Sequence, residues 1–183
     1  HKEILSDFGK CDILINGAGG NSCKAQTDKE YFEAGDIDGE VKSFFDLDKS
    51  GVEFVFNLNF LGTLLPTQEF ARDMAGGNGC SIINISSMNA FNPLTKIPAY
   101  SGAKAAVSNF TKWLAVHFSR VGIRVNAIAP GFFSTAQNKS LLWNADGTPT
   151  ERTGKILAAT PMRRFGEAEE LLAVVFMGRN RLP

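Results

Sequence analysis

Tyr100 and Lys104 stand four residues apart in PAYSGAKAAVSNF, residues 98–110, where most other side chains are small. On a helix that spacing puts phenol and ammonium one turn apart on a shared face. An ordinary tyrosine, with a pKa of about 10, is too weakly acidic to serve as a base at neutral pH. An ammonium beside it favours the phenolate and lowers that value, which makes the pair a candidate general acid/base. The small neighbours Ser101, Gly102, Ala103, Ala105 and Ala106 would let a flat ligand or another helix come close. The plainer alternative is a half-exposed tyrosine and a solvated lysine on a surface helix. Other positions have to decide between them.

The elements that would carry such a site can be traced along the chain. CDILING, residues 11–17, is a short apolar run meeting a glycine cluster, which predicts a buried strand and a tight turn. CSIINIS (80–86) and GIRVNAIAPG (122–131) predict a second and a third strand, the last stopped by Pro130 and Gly131. Residues 49–75 have helical spacing in Val52, Val55, Phe56, Phe60, Leu64 and Leu65, with a kink expected at Pro66. Residues 99–119 form another helix, with an apolar stripe through Ala99, Ala103, Val107 and Leu114 and a polar one through Ser101, Lys104, Ser108 and Lys112. Residues 20–48 read as a long insertion or loop, 132–165 as a substrate-side loop region with broken helices, and 167–177 as a last helix. Alternating strands and helices with apolar strands predict α/β architecture, a doubly wound, Rossmann-like parallel sheet in one domain over 1–183.

In such a sheet ligands bind beyond the carboxyl ends of the strands. The suspicious residues all fall there. Asn16, Gly17, Ala18 and Gly19 close the first strand, Ser86 and Ser87 the second, Pro130 and Gly131 the third. The loop between Ser87 and Pro98 is long enough to bring Ser87 beside Tyr100, where its hydroxyl could bind a substrate oxygen.

Composition narrows the function classes. Of 183 residues, 44% are hydrophobic, enough for a substantial core. Nineteen basic residues balance nineteen acidic ones with no basic block, so neither nucleic acid nor an anionic membrane is an expected partner. No apolar run reaches membrane-spanning length. Cys11, Cys23 and Cys80 show no metal-ligand spacing and read as reduced thiols in a cytoplasmic protein, with no metal site expected.

These motifs together resemble the short-chain dehydrogenase/reductase family. The family's Asn-Asn-Ala-Gly turn is matched by Asn16-Gly17-Ala18-Gly19, with Gly17 where a second Asn is usual. Its helix asparagine is matched by Asn59 in NLNFLGT. A serine thirteen residues before the tyrosine selects Ser87 over Ser86, Tyr100 and Lys104 follow, and the Pro-Gly-x-x-x-Thr motif is matched by Pro130, Gly131 and Thr135. The resemblance covers about Cys11 to Leu172. It implies hydride transfer between NAD or NADP and a secondary alcohol or ketone, with Tyr100 as acid/base and Ser87 polarising the substrate oxygen. Lys104 would lower the tyrosine pKa and hold the nicotinamide ribose, and Asn59 would anchor a water in a proton relay. Asn16 to Gly19 would lie along the cofactor's adenosine side, and Pro130, Gly131, Phe132 and Thr135 would position the nicotinamide.

Relative to that family, no first strand or Gly-rich phosphate loop can be placed upstream of Ile13, and the sequence stops soon after the last helix begins. The expectation is an incomplete Rossmann-like domain, the catalytic part of a longer chain. GAGGN, the long 20–48 segment and NISSMNAFNPLTKIPAYSGAKAA look most like the D-mannonate oxidoreductase (fructuronate reductase) branch. A sugar acid needs a cation for its carboxylate and polar groups for its hydroxyls. Asn89, with Ser87, is the expected substrate contact, and Asn21, Lys24, Lys96 and Asn138 are further candidates. The alternatives are a reductase of another keto substrate, such as a 3-oxoacyl thioester, or a non-catalytic fragment that only associates with partner chains. The resemblance also implies a homo-oligomer, a dimer or tetramer. Phe56, Phe110 and Trp113 are candidates for the contact.

Overall fold

The three apolar runs form one parallel sheet in the computed structural model, which describes residues 1–136 and 138–179. They are β1 (Ile13–Asn16), β2 (Cys80–Ile85) and β3 (Ile123–Ile128), in the spatial order β1-β2-β3. The register sets Asn16 beside Asn84 and Ile85 beside Ile128, so all carboxyl ends share one edge. Among the described residues no helix is long and apolar enough to cross a membrane.

Parallel neighbours need a crossover, and helices supply it. Between β1 and β2 the chain runs through α2 (Lys49–Phe56), a π-helical turn (Asn57–Leu61) and α3 (Gly62–Met74). Between β2 and β3 it runs through α4 (Pro98–His117). Asp48 caps α2 by accepting from the Ser50 amide at 2.7 Å, and Pro98 opens α4. α3 packs on β1 and β2, α4 packs on β2 and β3, and α2 packs on α4, so both crossovers cover one face. Ala71, Met74, Cys80, Ile82, Leu114, Ile123 and Val125 fill the space between. β2, the central strand, is buried along most of its length. On the far face of β1, Ile13 and Ile15 are partly open.

Polar groups inside that layer form a connected chain. The Asn16 amide donates to Thr67 Oγ1 at 2.9 Å and to Asn84 Oδ1 at 2.8 Å. Asn84 donates to Thr111 Oγ1 at 2.9 Å, and Thr67 and Thr111 donate to the carbonyls of Thr63 and Val107 one turn back. Each of these buried donors is matched, which avoids the 1–3 kcal/mol or so that an orphaned polar group costs.

Two expectations are revised here. Pro66 lies within α3, and the irregularity falls one turn earlier, in the π-turn. A proline ring crowds the carbonyl four residues back, here Gly62, where the π-turn ends. The insertion at 20–48 is also more ordered than a loop. It holds 3-10 turns at Cys23–Ala25, Ala34–Asp36 and Phe44–Asp46, with Asp28 N donating to Lys42 O and Lys29 paired with Asp36. It is joined to the loop before α4 by Thr27 N donating to Lys96 O at 3.0 Å. A further short helix, α1 (Lys2–Phe8), buries none of its residues and gives no strong sequence signal.

Contacts divide the chain at Ala129–Pro130, where the Pro-Gly pair stops β3. The second unit, Pro130–Met177, contains α5 (Lys139–Leu142), α6 (Glu151–Ala159) and most of α7 (Glu170–Arg179). Within it Phe133 pairs with Gly166, a position where a Cβ would strike the Phe133 ring. Thr153 caps the same unit from inside by donating to Leu142 O at 2.5 Å.

Candidate active site

α4 settles what kind of lysine Lys104 is. The polar stripe that looks solvent-facing in the sequence is partly buried: Ser101 and Lys104 are inside, with Lys104 only 3% exposed. Its ammonium donates to Ile85 O, at the end of β2, over 2.8 Å. Burial holds its pKa down at about 8. A solvated surface lysine is therefore ruled out.

Tyr100 lies one turn earlier on the same helix, half-buried, with Lys104 Nζ 5.8 Å from its ring centroid. Ser87 is almost fully buried and caps a 3-10 turn, Met88–Ala90, by accepting from the Asn89 amide at 3.2 Å. That turn packs against α4. Since Ser87 Oγ already accepts from a backbone N–H, its own proton is free to be donated outward. Ser86, the serine the family spacing passes over, is turned to the helix instead. Its hydroxyl donates to Lys104 O at 3.1 Å and meets Ser108 at 2.5 Å.

Asn59 sits in the π-turn and is fully buried. It holds the turn that follows β1: its amide donates to Gly20 O at 2.7 Å and to Val55 O at 2.7 Å, and its oxygen accepts from Gly20 N at 3.3 Å. With both ends of the amide engaged, the side chain is a tether, and its main-chain carbonyl accepts from Thr63 Oγ1. Gly19 lies between the key groups. A Cβ there would stand 2.9 Å from Asn59 Oδ1 and 2.9 Å from Lys104 Nζ, so a larger residue would push the amide or the ammonium from its place.

Gly17, Ala18 and Gly19 are exposed along the end of β1, and Gly17 has open space where the family usually carries a second asparagine. Asn16 is different. Its side chain points into the helix–sheet layer and belongs to the polar chain there, so a cofactor contact at Asn16 would fall to its backbone. The Asn138 amide bonds within its own loop, accepting from Thr135 N and donating to Phe133 O, both at 2.8 Å. Asn21 and Lys24 are exposed and Lys96 is half-buried. Pro130, Gly131, Phe132 and Thr135 open the second unit, with Phe132 O accepting from Gly166 N.

Two participants carry no sequence signal. Gly20 and the Ile85 carbonyl act through backbone atoms, and only the bonding partners reveal them.

The family model for short chain dehydrogenases matches residues 1–145. An uncharacterized oxidoreductase of Haemophilus influenzae is 67% identical over 176 residues, covering 96% of this chain and 61% of that protein. A 2-dehydro-3-deoxy-D-gluconate 5-dehydrogenase of Dickeya dadantii is 32% identical over 171 residues, covering 93% of this chain and 58% of that protein. A crystal structure labelled a D-mannonate oxidoreductase from Haemophilus influenzae, with bound NAD, superposes with a TM-score of 0.90 at 66% identity. The match covers 97% of this chain and 64% of that one. The chain thus spans about three-fifths of the length of the relatives it matches.

Proposed function

Because this chain belongs to the short-chain dehydrogenase family, we propose that it carries the catalytic residues of an NAD- or NADP-dependent oxidoreductase. The reaction interconverts a secondary alcohol and a ketone on a sugar acid, of the D-mannonate and D-fructuronate type. The observation that carries the reading is Lys104. Its ammonium is buried, close to the Tyr100 ring, and directly beside Gly19 at the end of β1. Burying a lone cation is unfavourable, and chemistry at Tyr100 gives it a purpose.

The chain's own residues fit a nicotinamide dinucleotide through the exposed Gly17–Gly19 edge and the Lys104 ammonium beside it. Phe132 and Thr135, after Pro130-Gly131, are assigned to the nicotinamide side on their motif. Bound there, the nicotinamide supplies hydride for reduction or takes it up for oxidation. Ser87 donates its free proton to the substrate carbonyl oxygen and fixes its position. As that oxygen becomes an alkoxide, Tyr100 delivers the phenol proton, and Lys104 stabilises the phenolate left behind. Water then restores the phenol. In the oxidative direction the phenolate takes the alcohol proton. Asn59 acts as a positioning residue by holding the Gly20 turn.

Support for a sugar acid comes from the names of two relatives, the 2-dehydro-3-deoxy-D-gluconate 5-dehydrogenase and the structure labelled a D-mannonate oxidoreductase. The exposed Trp113, stacked on the half-buried Phe110, and Phe56, partly open, support self-association across α2 and α4, and a monomer in light scattering would remove that part. The test of function is NADH or NADPH oxidation by the intact protein, with D-fructuronate and a 3-oxoacyl thioester offered separately. The reading expects turnover with the sugar acid at a kcat/KM far above that of the thioester; the reverse preference would transfer the function to the alternative substrate class.

A further inference from the structure

Asn89 is 6% exposed, and its Oδ1 is buried without a hydrogen-bond partner among the described residues. Its backbone N–H is already used, donating to Ser87 Oγ. The side-chain oxygen is therefore an acceptor left open on the same short turn that carries the Ser87 hydroxyl. That turn packs against α4, the helix of Tyr100 and Lys104. Buried amide oxygens in folded proteins almost always have a donor, so one left open beside a candidate reaction centre points to a donor brought by the ligand.

Resting on the reductase reading above, we propose that Asn89 selects α-hydroxy ketones, its Oδ1 accepting from the hydroxyl on the carbon next to the reacting carbonyl. Ser87 and Asn89 then present opposite hydrogen-bonding characters. Ser87 offers a proton to the carbonyl oxygen, which can only accept. Asn89 offers a lone pair to the adjacent hydroxyl, which can donate. A simple ketone satisfies the first and leaves the second orphaned and desolvated. An α-hydroxy ketone satisfies both. For a ketone with a hydroxyl on one side only, the pairing also gives an orientation, since it turns that side toward the 88–90 turn. A site that hydrogen-bonds a substrate hydroxyl discriminates strongly against the analogue lacking it, because the buried partner stays unpaired.

The experiment measures kcat/KM of the intact protein for two matched pairs, D-fructuronate with its analogue lacking the hydroxyls on both carbons that flank the ketone, and 3-hydroxy-2-butanone with 2-butanone. Wild type, Asn89→Leu and Asn89→Asp are compared. In wild type the hydroxylated member is favoured by about tenfold or more in at least one pair. Asn89→Leu, close in volume but without an acceptor, brings the ratio toward one. Asn89→Asp, which keeps an accepting oxygen at the same reach, retains the preference. The ratio within a pair is insensitive to how much of a variant is folded. Equal kcat/KM within both wild-type pairs overturns the proposal while leaving the reductase reading intact. So does a preference that survives in Asn89→Leu or is lost in Asn89→Asp, the last because it would make the amide a donor. No turnover of any of the ketones by wild type overturns the reductase reading, and this proposal with it.

Discussion

Tyr100→Phe in the intact protein is expected to lower kcat by about 10²–10⁴-fold, the range that general acid/base catalysis contributes. The ring stays, so its packing against the cluster of Ala25, Val55, Ala99 and Ala103 is kept, and only the hydroxyl is lost. Substrate and cofactor affinities, measured by calorimetry, should therefore change little as turnover collapses. An interaction made mainly in the transition state has that signature. A tyrosine kept for packing predicts near-normal turnover instead.

The second large effect is expected at Lys104, where activity and stability should move in opposite directions. Burial lowers the ammonium pKa to about 8, against 10.5 for an unperturbed lysine. The unfolded chain holds that proton more tightly than the folded one, so folding carries a penalty. The sign follows. The penalty is complete below pH 8, shrinks as pH rises from about 8 to 10.5, and is absent above. Its full size is about 3 kcal/mol, and removing the ammonium leaves Ile85 O without that donor, a loss of about 1 kcal/mol. Lys104→Met removes the charge and keeps the bulk. At pH 7 it should be more stable than wild type by about 1–2 kcal/mol, a gain typical of replacing a buried charge with an apolar side chain. Turnover should fall at least about 100-fold. Urea unfolding at pH 7 and at pH 10 checks this, since the stability gain should narrow at the higher pH. A lysine retained for structure alone predicts destabilisation at pH 7.

Much of this arrangement is legible in the sequence, for identifiable reasons. The strands are apolar runs that end at glycine or proline, and β1, β2 and β3 begin and end within a few residues of where those runs do. Tyr100 and Lys104 share a face because the helix repeat requires it. What the sequence conceals depends on groups far apart along the chain. The stripe of Ser101, Lys104 and Ser108 looks solvated, because the groups that enclose Lys104 come from β1's end, the π-turn and the Ile85 carbonyl. In place of the kink expected at Pro66 there is a π-turn about one turn earlier, since a proline disturbs the helix on its N-terminal side. The engagement of the Asn16 side chain with Thr67 and Asn84 is hidden in the same way. The 20–48 segment has no apolar period because its order rests on 3-10 turns and local caps such as Ser43 with Asp46.

The central claim is that this chain's Ser87, Tyr100 and Lys104 serve hydride transfer to a sugar-acid ketone. The most direct measurement is reduction of D-fructuronate by the intact protein with NADH deuterated at both C4 positions, followed by mass spectrometry and proton NMR of the product. The account predicts one deuterium per product molecule, carbon-bound at the new secondary alcohol, and its disappearance with Tyr100→Phe at matched times. A product without carbon-bound deuterium, or Tyr100→Phe labelling it as fast as wild type, would contradict the account.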